Sequence, residues 1–338
     1  MDGPHSNIEL DQMRTPYRRT LQALCAVLII AIIAPVLTLL IGLYWRRPLA
    51  PSLPLARATP NFSNLAPIQV CWVETGHAFG SGGFSMTASA LLIRHPKGDV
   101  LIDAGNSSRF REEASQFPFF QRLIMILIPG RLKPQTPLPD ALRTVGESPQ
   151  RLRLLIPSHI HLDHIGGYED LPRIPILLDA EEMNFSHDHN AQKTGAVIPQ
   201  QAAMLQDGRV RILQFSDEPY DIFRKSFDIY GDGSIVVVPL PGHTPGSIGV
   251  FLSLDPERRV FYVGDAALQA SEIRKRIRKP FFIQDVDPVG AVDQIQKLNE
   301  LEKMDPHLVM IAAHGRSDFL AAFPGGPGTC IQSVRETK

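Results

Sequence analysis

The sequence predicts an α/β layered domain carried behind a single N-terminal transmembrane helix. Two observations predict it. Short β-branched runs such as "SALLIRH" and "SIVVVPLPGH" alternate with stretches of helical spacing, the pattern of strands covered by helices. Ahead of them lies an uncharged run of 23 residues, Leu21 to Leu43. The 338 residues are 44% hydrophobic and 20% charged, which allows a sizeable core. A net charge of −1 argues against a protein held to nucleic acid by phosphate neutralisation.

The elements follow in chain order. Residues 1–20 form a short tail carrying Arg14, Arg18 and Arg19. Residues 21–43 are the expected anchor, long enough at about 1.5 Å per residue to cross a core of roughly 30 Å. Tyr44 and Trp45 sit where interfacial aromatics belong, and Arg46 and Arg47 follow. A cleaved signal peptide has a shorter apolar core and a small-residue cleavage site, which "YWRRP" does not supply. The arginine bias places the N-terminus in the cytoplasm and the main domain outside it. Residues 44–67 hold Pro48, Pro51, Pro54, Pro60 and Pro67, expected as an extended, semi-rigid spacer. The soluble domain is expected over 68–338.

Within that domain "IQVCWVET", "SALLIRH", "DVLIDAG", "RLLIPSH", "SIVVVPLPGH", "VFYVGDA" and "HLVMIAAHG" are expected as strands. "PVGAVDQIQKLNELEKM" is expected as a helix, with Val289, Val292, Ile295, Leu298 and Leu301 on its apolar side. The apolar stretch from Phe117 to Gly130 is expected to be a helix packed on a sheet, with a substrate lid or a second membrane contact as alternatives. It is too short to span. Cys25, Cys71 and Cys330 form neither a disulfide framework nor a metal knuckle, and Cys71 and Cys330 can bridge only if the two ends of the domain meet.

Four apolar runs end in the same chemistry. "RLLIPS" ends in His159, His161, Asp163 and His164; "IVVVPLPG" ends in His243; "VFYVG" in Asp265; "LVMIAA" in His314. The crevice beyond the carboxyl ends of strands is where layered α/β domains bind ligands. Five imidazoles and two carboxylates suit zinc-like ions, and seven donors exceed the three or four that one ion takes. Two ions are therefore expected, with Asp265 the natural bridge because a carboxylate has two oxygens. Two metals about 3.5–4 Å apart can hold a hydroxide and polarise a substrate oxygen. The remaining histidines, His5, His77, His95, His187, His189 and His307, are expected as solvated or core residues. "HDH" at 187–189 has ligand-like spacing but no apolar strand before it, and His77 is the one remaining histidine with a claim to border the site.

These motifs resemble the metallo-β-lactamase superfamily over roughly Ile68 to Gly315. "SHIHLDHIGG" matches its H-x-H-x-D-H motif, "PGHTPGS" the next, "GDA" the bridging aspartate and "AAHG" the last histidine. "LIDAG" matches the strand whose aspartate, here Asp103, supports the site from behind. The resemblance implies a four-layer αβ/βα sandwich binding two Zn2+, with iron or manganese as alternatives. It implies that His159, His161 and His243 hold one ion, that Asp163, His164 and His314 hold the other, and that Asp265 bridges. It further implies that a bridging hydroxide attacks a carbonyl, with Asp163 orienting it and taking a proton and with His314 the other expected catalytic residue. β-Lactamases proper do not use the aspartate of "GDA"; glyoxalase II-like thioesterases and N-acyl homoserine lactonases do. "SHIHLDHIGGYEDLP" and "DGSIVVVPLPGHTPGSIGVFL" are similar to the lactonases, although Leu268 stands where many of them carry a substrate-contacting tyrosine. The expectation is a membrane-anchored lactone or ester hydrolase with an apolar acyl substrate and no nucleic-acid partner. A thioesterase and a lipid phosphodiesterase are the alternatives, ahead of a β-lactamase or a catalytically silent metal-binding domain.

Overall fold

A computed structural model describes residues 20, 22–38, 48–50, 55–79, 85–119, 122, 136–206, 208–280, 283 and 285–333. A seven-stranded sheet contains β1 (Gln69–Phe79), β2 (Ser85–Arg94), β3 (Asp99–Ile102), β4 (Leu152–Ile156), β5 (Ile176–Leu178), β6 (Val210–Ile212) and β12 (Cys330–Gln332), in the order β12-β1-β2-β3-β4-β5-β6. A five-stranded sheet contains β7 (Phe227–Asp228), β8 (Ile235–Pro239), β9 (Ile248–Asp255), β10 (Arg258–Tyr262) and β11 (Val309–Ile311), in the order β11-β10-β9-β8-β7. Both sheets are mixed: β3 to β6 run parallel, as do β10 and β11, and the other neighbours are antiparallel.

The two-residue period of a strand builds the layers. In β1 and β2, Val70, Trp72, Leu91 and Ile93 point into a core shared with Val237, Val250, Leu252 and Tyr262 of the other sheet. Their neighbours Cys71, Val73, Ala90 and Leu92 point the other way, onto Leu138 and Leu142 of the Leu138–Thr144 helix. Likewise Val236, Val238, Phe251 and Phe261 leave the shared core and pack on Ile273, Leu298 and Leu301. Helix, sheet, sheet and helix therefore stack as four layers. Fully buried Trp72 stacks on Phe319 at 5.1 Å, and burying side chains of this size is worth about 2–3 kcal/mol each.

The expected Pro288–Met304 helix forms, capped by Asp287, whose Oδ1 accepts from the N–H groups of Val289 and Gly290. Ile295, Leu298 and Leu301 are buried, but Val289 is 79% exposed. A repeat of three drifts around a helix of 3.6 residues per turn, so the first member of the series rotates off the buried face.

Three further expectations meet the structure here. Residues 22–38 are helical with apolar side chains exposed, whereas 21 and 39–43 lie outside the described residues; among the described residues no helix is long and apolar enough to cross a membrane. Of the expected extended spacer over 44–67, the described residues 48–50 and 55–67 hydrogen-bond to the domain at several points. Leu49 N–H donates to Arg276 O, Ala58 N–H to Asp221 O, and Arg57 pairs with Asp221 and Asp305. Of the stretch 117–130, all but 117–119 and 122 lie outside the described residues. The ends of the domain do meet: β1 pairs with β12, Cys71 opposes Cys330, and the two form a disulfide.

Candidate metal centre

Each strand end delivers what its sequence promised. β4 runs out into His159 and His161, and the short Leu162–Ile165 helix carries Asp163 and His164. His243 follows β8, Asp265 sits in the Gly264–Ala266 turn after β10, and His314 follows β11. The turn before His243 needs Gly242, whose φ is +143° and whose position leaves a Cβ only 2.6 Å from Ala291 N. All seven candidate ligands converge, in three overlapping groups whose donor atoms lie within 4.8 Å: His159, His161 and His243; His159, His164 and Asp265; Asp163, His164 and His314.

The first group presents nitrogen to nitrogen. His161 Nδ1 is 3.0 Å from both His159 Nε2 and His243 Nε2. Burial holds the pKa of all three imidazoles below its ordinary value. Neutral imidazoles are what a metal needs. Asp265 lies between the groups, with Oδ2 3.3 Å from His243 Nε2 and 3.2 Å from His314 Nε2, and Oδ1 3.5 Å from His164 Nε2. Asp163 closes the second group, Oδ2 being 3.4 Å from His314 Nε2. Burial opposes charge on His164 and His314, yet the nearby carboxylates, Asp265 foremost, win and push the two up to about 10 and about 8. The same pairing holds Asp265 well below the usual carboxylate range despite its burial.

This donor set fits divalent cations. His164 Nε2 and Asp265 Oδ1 are buried without a hydrogen-bond partner, and both belong to the converging groups. An orphaned buried nitrogen and carboxylate oxygen cost free energy that a shared cation removes. Nitrogen and oxygen donors together suit zinc, iron or manganese.

Behind the donors stand residues that hold them. Asp103, fully buried with φ +57°, accepts from the Ser158 hydroxyl (2.9 Å), His164 Nδ1–H (2.8 Å) and the Tyr262 hydroxyl (2.6 Å). That leaves His164 Nε2 for the centre. Thr87 O takes His314 Nδ1–H at 3.0 Å, and Asp285 Oδ1 lies 3.0 Å from His243 Nδ1. Glu182 ties the two imidazole-bearing loops together: its carboxylate accepts from Ile160 N–H, Thr244 hydroxyl and Gly246 N–H.

Sequence reading missed Glu182, Lys279 and Asp285, which lie in a helix and a loop with no motif around them. Tyr262 was findable, since strand alternation puts it with Val260 on the face opposite Phe261. Among the other histidines, exposed His187 and His189 join none of the three converging groups, and Asp188 between them caps the His189–Thr194 helix. His77 pairs with Glu74 at 3.2 Å; Glu74 in turn takes the Thr87 hydroxyl, one residue's breadth from His314. Leu268 is buried, its N–H given to Glu272.

N-acyl homoserine lactonase AttM of Rhizobium radiobacter is 23% identical over 222 residues, 65% of this chain and 81% of that protein. A probable metallo-hydrolase of Mycobacterium tuberculosis is 25% identical over 258 residues, 73% of this chain and 80% of its own length. A solved N-acyl homoserine lactone hydrolase with N-hexanoyl-L-homoserine at its catalytic metal centre superposes with a TM-score of 0.56 at 16% identity, covering 76% of this chain and 96% of that one. The dizinc quorum-quenching lactonase AidC superposes at 0.52 with 16% identity, covering 77% and 90%. The family model described as the metallo-beta-lactamase superfamily matches residues 86–314, from the second strand to the last candidate ligand. With the four-layer fold and the converging donors, this match makes the chain a member of the metallo-β-lactamase superfamily, as a metal-dependent hydrolase.

Proposed function

We propose that the chain hydrolyses lactones or related esters of apolar acyl groups at a two-zinc centre. The observation that carries this is one buried carboxylate, Asp265, reaching into two separate donor groups. In this reading His159, His161 and His243 hold one ion, Asp163, His164 and His314 the other, and Asp265 both. Bound zinc would supply a water activated at neutral pH and a Lewis acid for the substrate oxygen.

The chain's own residues divide the remaining work. Asp163 has a side chain 34% exposed, against 6% or less for His164, Asp265 and His314. It is the most open donor of its group, placed to accept the nucleophile's proton and return it to the leaving alkoxide. His314, held by Thr87 O, keeps Nε2 3.4 Å from Asp163 Oδ2 and so fixes that carboxylate. The lactonase relatives support lactones as the substrate class. Leu268, which has no hydroxyl to offer a substrate carbonyl, favours open-chain esters or thioesters as the second reading.

Residues 21–43 anchor the protein in a membrane in this proposal, supported by the uncharged run and the exposed apolar side chains of residues 22–38. The Cys71–Cys330 disulfide supports a catalytic domain outside the cytoplasm, where disulfides persist.

The test is a substrate panel on the zinc-loaded full chain in detergent: an acyl homoserine lactone, an acyl thioester and a phosphodiester. Fastest turnover of the lactone is expected. Turnover of the phosphodiester alongside inert lactone and thioester would overturn the proposal.

A further inference from the structure

A buried lysine touches the metal centre from behind. Lys279 Nζ, with its side chain 1% exposed, lies 3.0 Å from His243 Nδ1, donates to the backbone carbonyl of Asp265 at 2.5 Å, and pairs with Asp285. Asp285 Oδ1 also lies 3.0 Å from His243 Nδ1. One ammonium thus meets the backbone of the shared carboxylate ligand and the acceptor of one imidazole ligand. A lysine this deeply buried is costly to keep charged, and an ion pair with further hydrogen bonds is what makes it tolerable.

We propose that Lys279 and Asp285 are a positioning pair for the ion held by His159, His161 and His243. Asp285 accepts His243 Nδ1–H, which leaves the Nε2 lone pair toward His161 and Asp265. Lys279 holds that carboxylate in place and pins the turn from which Asp265 reaches both donor groups. The second group has its own supports in Asp103 and Thr87 O, so Asp285, acting through His243, bears on one ion, while Lys279 reaches the other only through the shared Asp265. Neither residue touches substrate in this assignment; both act through His243 and Asp265.

The inference rests on reading the site as a metal centre, and its test separates the two. The full chain is stripped with a chelator and titrated with Co2+, following the visible absorption of the bound ion, for wild type, Lys279→Met, Asp285→Asn and the exposed control Lys275→Met. Wild type and control take up two ions. Asp285→Asn binds one ion as wild type does and the other about 10–100-fold more weakly, with an altered spectrum for that ion alone; Lys279→Met weakens the same ion most and, through Asp265, the other to a lesser extent. Asp285→Asn is nearly isosteric and decides the matter even if Lys279→Met does not fold. Equal loss of both ions in Asp285→Asn, or two ions bound with wild-type affinity and spectrum in both variants, would overturn the pair's role. Failure of wild type itself to bind Co2+ would instead overturn the metal-centre reading.

Discussion

Replacing Asp103 by asparagine keeps the side chain's size and removes its charge. The left-handed backbone at φ +57° is one that asparagine adopts readily, so the backbone cost is small. The side-chain cost is not. In the native structure Asp103 accepts from the Ser158 hydroxyl, the Tyr262 hydroxyl, His164 Nδ1–H and the Ser158 N–H. An amide offers one oxygen and one NH2, so at least one of these donors meets another donor. Hydrogen bonds to a charged group are worth about 1.5–3 kcal/mol each, and an unsatisfied buried donor costs a comparable amount. Losing one bond and weakening the others gives about 3–5 kcal/mol, well below the simple sum because the contacts share one group. For a domain of this size that is a fall in melting temperature of roughly 6–20 °C. His164 keeps at best a neutral amide oxygen in place of the carboxylate that leaves its Nε2 for the centre, so an ion held by His164 should bind about 10–100-fold more weakly. Calorimetry of the metal-free chain and metal titration measure the two effects. A melting temperature within about 2 °C of wild type, with both ions bound as before, would refute the reasoning.

Other outcomes follow from the same geometry. Burial pushes the Glu182 carboxyl up to about 7, against the hydrogen bonds it accepts from Thr244, Ile160 and Gly246. A group with a raised folded pKa contributes stability below its unfolded value, near 4.5, and loses it as pH rises to about 7. Wild type should therefore lose roughly 3 kcal/mol relative to Glu182→Gln across that window, read by urea unfolding at several pH values; parallel pH profiles would contradict it. Reducing Cys71–Cys330, which closes a loop of 259 residues, should lower stability by about 2–5 kcal/mol, and an unchanged melt with and without reductant would remove the bridge's structural role.

Much of the candidate metal centre was legible because each donor follows an apolar strand, and strand ends in a layered fold meet in one crevice. His159, His243, Asp265 and His314 needed only that rule. The supports were less legible. Lys279 and Asp285 lie outside any helix or strand, and what singles them out is contact with His243 and Asp265, partners set by tertiary structure. Glu182 looks in sequence like any solvated helix residue, and only the fold buries it. β5, β6, β7 and β12 are two or three residues long, too short for periodicity to register. Composition predicts an extended proline-rich stretch but not where it rests. Proline favours extended chain, and whether that chain stands free depends on Asp221 and Asp305, more than 150 residues away, which hold Arg57.

The central claim is that one buried aspartate joins two ions that open a lactone or ester. Metal content and hydrolysis of an acyl homoserine lactone, measured on one sample of the full chain and on Asp265→Asn, test it most directly. The expected result is two ions per wild-type chain with lactone opening, and loss of both an ion and the hydrolysis in the variant. Less than one ion per wild-type chain, or hydrolysis untouched by Asp265→Asn, would contradict it.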